Sequence, residues 1–178
     1  SKVVLYNSSN GANVRLANAV IKQQDEVSVF ITLTEKQRVE AIALSSTNGG
    51  DTTALTLSVE AGAMQDIGTN KNNRFDGIFV TEVADTVRPL VKAVLLNLST
   101  GILKVGFSET IDTTPTALVL LEIMFITEEE NRSTGKDPIK LAGANVTSLD
   151  DPEGKTVVIQ LTEAQRVKSI EYSNQPGG

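Results

Sequence analysis

The sequence predicts an all-β chain built as antiparallel β-sandwich units in tandem, each carrying one short helix. Three observations lead there. Apolar and polar residues alternate over short stretches, the period of a strand with one face buried. Clusters of Gly, Asn, Asp, Ser and Pro separate those stretches as turns. And residues 28–50 (SVFITLTEKQRVEAIALSSTNGG) return as 156–178 (TVVIQLTEAQRVKSIEYSNQPGG), with 12 of 23 positions identical at an offset of 128. Self-similarity at a fixed offset marks a repeating architecture.

The elements follow in order. Val3-Val-Leu-Tyr reads as a strand and is similar to Ile123-Met-Phe-Ile. Asn7-Ser-Ser-Asn-Gly is a turn, and the stretch it opens is similar to the one that begins at Asn131. Residues 1–50 are therefore expected to repeat 123–178, the offset shrinking to about 124 through small gaps in loops. One period is then 51–178, and the chain reads as an excerpt of an array. Residues 27–33 alternate and predict a strand. Thr34-Glu-Lys-Gln and Thr162-Glu-Ala-Gln each fit a capping box, Thr as N-cap and Gln three residues on. Val39 and Ile42, like Val167 and Ile170, are spaced to face the sandwich, leaving Glu35 and Arg38 outward and able to pair.

Residues 54–59 and 78–83 alternate as further strands, with Asn48-Gly-Gly and Asp76-Gly as turns. Asp85-Thr-Val-Arg-Pro reads as a linker, because Pro89 fixes its own φ and biases Arg88 towards extended backbone. The expected units are 1–84 and 85–178, the first lacking its opening strands and the second its closing ones. Beyond the linker, residues 102–108 alternate after the Ser99-Thr-Gly turn, 117–126 is an aliphatic run suited to a strand buried on both faces, and 157–161 mirrors 29–33.

Composition excludes much chemistry. The chain has no His and no Cys, so imidazole bases, thiol nucleophiles, Cys/His zinc sites and disulfides are absent. Its net charge is −6 and its basic residues are dispersed, against a nucleic-acid or electrostatic membrane partner. Aromatic residues are 4% of the chain with no Trp, too few for stacking platforms. The longest apolar run, 118–126, contains Glu122 and is too short to cross a bilayer, so no membrane insertion is expected. SKVVLYNSSNG lacks the pattern of a signal peptide. No enzymatic activity is expected.

Asp85-Thr-Val-Arg-Pro-Leu followed by Phe107-Ser-Glu-Thr-Ile-Asp resembles the opening of bacterial Ig-like and cadherin-like domains in large cell-surface adhesins and extracellular fibres. Residues 51–57 (DTTALTL) and Gly62-Ala-Met-Gln-Asp-Ile-Gly-Thr-Asn resemble their closing half, with Thr69 inserted between Gly68 and Asn70 where the family pattern has a tight turn. The resemblance implies tandem Ig-like sandwiches in a stalk, fibre or adhesive spacer, located outside the cell. The partners expected are copies of the chain in a linear assembly, continuous or joined by strand addition. The alternative is a ligand- or sugar-binding adhesin module meeting surface glycans through its loops.

Candidate sites are few. Four N-x-S/T sequons occur, at Asn7, Asn97, Asn131 and Asn145, and those at Asn7 and Asn131 align within the repeat. They are candidate glycosylation sites or simply turn asparagines. No cofactor is expected. Calcium would draw on Asp66, Asp85, Asp112 and Asp151, with Glu82, Glu109 and Asp150 in support, although no EF-hand run is present.

Overall fold

A computed structural model describes residues 2–22, 27–113, 125–126, 137–149 and 154–173. The chain divides into two compact units, Ser1–Arg88 and Pro89–Gly178, four residues beyond the expected border at 84/85. The described residues form antiparallel sheets with two helices, a β-rich fold.

In the first unit, β1 (Val3–Asn7), β2 (Asn13–Arg15), β5 (Leu55–Val59) and β6 (Phe75–Phe79) make a four-stranded sheet in the order β2-β1-β5-β6. A separate two-stranded sheet pairs β3 (Val20–Ile21) with β4 (Ile31–Thr32), and α1 (Glu35–Ala43) follows it. In the second unit, β7 (Val91–Asn97), β8 (Ile102–Phe107), β11 (Asn145–Leu149) and β12 (Thr156–Gln160) form a sheet in the order β11-β12-β8-β7. There β9 (Phe125–Ile126) pairs with β10 (Ile139–Lys140), and α2 (Glu163–Glu171) follows β12.

Two hairpins turn in the same way. In each an asparagine folds its side chain over the loop: Asn7 Oδ1 accepts from the amides of Ser9 and Asn10 at 2.9 and 3.1 Å, and Asn97 Oδ1 from those of Ser99 and Thr100 at 3.0 and 3.1 Å. A glycine with φ near +70° closes each loop, Gly11 in one and Gly101 in the other.

Both helices open on the expected capping box, complete in each case. Their inward faces differ from expectation. The buried residues are Gln37 and Ala41 in α1, and Gln165 and Ser169 in α2, while Val167 is exposed. The reason is a second duty for the glutamine. Gln37 Nε2 donates to the carbonyls of Arg15 (2.9 Å) and Ala17; Gln165 Nε2 donates to those of Lys140 (2.9 Å) and Ala142 (3.0 Å). A buried amide is tolerated because its atoms are paired.

Other expectations shift. The strand expected at 78–83 lies at Phe75–Phe79. Asp76-Gly is no turn: Gly77 sits inside β6 at φ +68°, where the β5–β6 register slips by a residue, as a bulge requires. Of 27–33, Ile31–Thr32 form a strand among the described residues, and the Phe30 carbonyl accepts from the Lys22 amide at 3.1 Å. Of 117–126, Phe125 and Ile126 alone are described, and Pro-Gly-Gly at 176–178 lies outside the described residues. Thr69 does not open the tight turn. It takes φ +67°, donating its amide to the Asp66 carbonyl at 3.0 Å, a left-handed conformation uncommon for a β-branched residue.

The core of the second unit gathers Leu103, Val105, Leu141, Val157, Ile159 and Leu161. Burial then fails at the sheet edge. Val105 stands opposite Val157 on one side and Val94 on the other; the first two are buried and Val94 is exposed. The first unit repeats this from β2 to β6: buried Val14, half-buried Leu5 and Leu57, and exposed Ile78 stand in one row.

Candidate functional site

Register makes the repeat concrete. Gln37 reaches Arg15 and Ala17 as Gln165 reaches Lys140 and Ala142, an offset of 128 on the helix and 125 on the strand. Val20 opposite Thr32 and Ile21 opposite Ile31 match Asn145 opposite Gln160 and Val146 opposite Ile159 under the same two offsets. So β2, β3, β4 and α1 correspond to β10, β11, β12 and α2. At β1 the pairing corrects the sequence alignment by one residue. Val4 opposite Arg15 matches Phe125 opposite Lys140, an offset of 121 where the apolar run alone suggested 120. A one-residue slip would have put every side chain on the wrong face.

The two units then differ in what each contains. β12 is flanked on both sides, by β11 and by β8. β4, its counterpart, pairs among the described residues with β3 alone. The consequence is read residue by residue. Val157, Val158 and Ile159 are 3%, 6% and 1% exposed. Their counterparts Val29 and Phe30 are 49% and 58% exposed, and Ile31 is half-buried. The same apolar strand is thus covered in one unit and open in the other, with Lys22 Nζ lying 5.8 Å from the Phe30 ring.

An arginine sits beside each strand. Arg166 is held by Glu163 through two hydrogen bonds of 2.8 and 2.6 Å, and its Nη1 donates to the Leu98 carbonyl, in the β7–β8 turn, at 2.8 Å. The fit at that turn is close: a Cβ on Gly101 would meet Gln160 Nε2 at 3.1 Å and Arg166 Cδ at 3.2 Å. Arg38 is held identically by Glu35, at 2.9 and 2.8 Å, but its Nη1 donates to Asp85 Oδ2. Glu35, then Asp85, raise the Arg38 guanidinium above its ordinary value. The Val87 amide and Arg38 hold the Asp85 carboxyl below its own. The open strand and Arg38 together are the candidate site. Of its residues the sequence offers Asp85 as a calcium candidate and Arg38 as the partner of Glu35, and does not mark Val29, Phe30 or Ile31 as functional.

The other expected site residues lie elsewhere. Asn7 is 2% exposed, and its Nδ2, the atom a glycan would occupy, donates to Asp51 Oδ2 at 2.6 Å and to the Leu44 carbonyl at 3.3 Å. A glycan there would take one of the two hydrogens that make these bonds. Asn97 and Asn145 are exposed, and Asn131 is outside the described residues. Asp66 is exposed, and hydrogen bonds from the Asn70 side chain and amide lower its pKa. Glu82 accepts from the amides of Ser46 (2.8 Å) and Leu55 (2.7 Å) and from the Ser46 hydroxyl. Burial pushes its carboxyl up, but those bonds outweigh it and hold it below the ordinary value. Glu109 is half-buried and Asp112 exposed, while Asp150 and Asp151 lie outside the described residues. Among the described residues no three acidic groups gather as a metal site would need, and no helix is long and apolar enough to cross a membrane. A pocket of about 510 Å³ lined by Asp137, Lys140, Gln165 and Lys168 gathers none of the expected site residues.

No protein-family model, no curated protein and no solved structure matches the chain.

Proposed function

We propose that this chain is a repeat segment of a non-enzymatic extracellular structural protein, a surface fibre or filament whose Ig-like sandwich units are completed head to tail by strands from neighbouring repeats. One observation carries the reading: positions buried at Val157, Val158 and Ile159 in the second unit are open at Val29, Phe30 and Ile31 in the first. Among the described residues, the first unit holds β5 and β6 after its helix and no counterpart of β7 and β8; the second holds β7 and β8. A sandwich needs both sheets to cover its apolar faces, and an uncovered edge invites a further strand. The exposed Val94, Leu95, Phe75, Ile78 and Phe79 on the outer strands β7 and β6 fit the same account.

The extracellular setting is part of the proposal. It agrees with a chain free of cysteine and carrying sequons at exposed Asn97 and Asn145. Those two are the proposed glycan carriers, and Asn7 is a turn-former.

Sedimentation of the purified chain over a wide concentration range, with negative-stain electron microscopy, tests the reading. Concentration-dependent linear oligomers are expected. Particles that stay monomeric at the highest soluble concentration, alone and when several repeats are joined in one chain without forming a rod, sink it.

A further inference from the structure

We propose that the open edge of β4, together with Arg38, is an acceptor site for the β7–β8-type hairpin of a neighbouring repeat, and that Asp85 is a latch that such a hairpin displaces. This deepens the fibre reading and rests on it.

The two units hold one site in two states. In the second unit the β7–β8 hairpin lies along β12, with Val157 opposite Val105, Val158 opposite Lys104, Ile159 opposite Leu103 and Gln160 opposite Ile102. Its turn is fixed by two more bonds: the Leu161 amide donates to the Gly101 carbonyl at 2.9 Å, and Arg166 Nη1 to the Leu98 carbonyl at 2.8 Å. Shifted by 128, these acceptor positions become Val29, Phe30, Ile31, Thr32, Leu33 and Arg38. Three of the four strand positions are apolar, as in β12, and Leu33 and Arg38 are identical to their counterparts. The guanidinium is already oriented by Glu35 as Arg166 is by Glu163. What differs is the group on Nη1, a backbone carbonyl in one unit and the Asp85 carboxylate in the other.

The geometry therefore specifies the occupant. It is a hairpin with strand residues of the β8 pattern, entering antiparallel to β4 with Val105, Lys104, Leu103 and Ile102 positions opposite Val29, Phe30, Ile31 and Thr32. It carries a glycine at the Gly101 position, because a Cβ there crowds the arginine. Room on the acceptor is greater than on β12, since Thr32 replaces Gln160. Asp85 leaves Arg38 when the turn carbonyl arrives, so docking frees the carboxylate in the segment that leads to the next unit.

The test joins residues 85–122 ahead of Ser1 of the full chain, the order in which a preceding repeat would supply the hairpin, and follows hydrogen exchange. Amide exchange at 29–33 is expected to slow about tenfold or more against a fusion of scrambled sequence. A labelled peptide covering 88–109, added in trans to the unfused chain, gives an affinity. Arg38→Ala is expected to weaken it about tenfold, and Asp85→Ala to tighten it about two- to fivefold by removing the competing carboxylate. The register is read by disulfide trapping, for which the cysteine-free chain is suited. Ile31→Cys should cross-link to a peptide carrying Leu103→Cys and far less to one carrying Lys104→Cys.

No protection at 29–33 in the fusion, or protection only at 157–161, overturns the proposal. So does an affinity indifferent to both Arg38 and Asp85. Filaments that form while 29–33 stays unprotected would sink the acceptor site and leave the fibre reading. Docking on chains that never associate would do the reverse.

Discussion

Asn7 and Asn97 occupy the same place in two similar turns, yet their burial gives them different weight. Asn7, itself buried, closes its turn with Oδ1 and ties it to the exposed Asp51 carboxylate and the half-buried Leu44 carbonyl with Nδ2. Asn7→Ala is expected to destabilise the first unit by about 1–3 kcal/mol, because it removes a buried side chain that makes several part-buried hydrogen bonds at once. Asn97→Ala should cost the second unit less, about 0.5–1 kcal/mol, since the amides it releases reach water. Urea denaturation of each variant reads the difference. Glu82 makes a second prediction at this scale. Its folded pKa is lowered from an ordinary 4.5, so its contribution is whole above about pH 4.5 and is lost as the pH falls through the folded value. The melting temperature of the first unit is expected to drop on acidification, and Glu82→Gln to flatten that drop. An unchanged acid limb in the variant would remove Glu82 from the account.

Both helices are held by their first residues more than by an apolar stripe. Thr34→Ala and Thr162→Ala remove one half of each capping box and should cost about 1 kcal/mol apiece. Gln37→Ala and Gln165→Ala remove the other half and also strip one strand carbonyl and one turn carbonyl of a donor, so about 2–3 kcal/mol is expected for each. Chemical denaturation and helical circular dichroism measure this ordering, and a glutamine variant milder than its threonine partner would refute it. The capping boxes were legible in the sequence because a cap is a local contract over four residues. The second task of each glutamine was not. Its partners stand 20 to 25 residues away, and nothing in the helix pattern marks an amide that points into the core.

At the scale of the whole molecule, the two copies of one motif are expected to contribute unequally. Arg166→Ala breaks the clamp on the β7–β8 turn and should measurably destabilise the second unit. Arg38→Ala breaks a partly exposed pair with Asp85 and should change the first unit by less than about 1 kcal/mol. Differential exchange of the two units in each variant separates them. Equal losses would mean that the Leu98 carbonyl adds nothing at Arg166. Gly101→Val belongs here too: at φ +70° and against Arg166, it should cost about 1–2 kcal/mol and loosen the same hairpin.

The β-rich class, the repeat at an offset of 128, the two capped helices and the pairing of Glu35 with Arg38 are all readable from the order of residues alone. Each is written in local pattern or in the likeness of one stretch to another. The strand at Phe75–Phe79 escaped it because Asp76-Gly, a turn signal in isolation, became a bulge once β5 lay alongside. The alignment of β1 with β9 slipped by one residue because apolar runs carry no register; hydrogen bonds to a partner strand do. The open edge of β4 could be decided only in three dimensions. Val29-Phe-Ile and Val157-Val-Ile read alike as sequence; among the described residues β8 lies beside the second and not the first, and the first is exposed where the second is core.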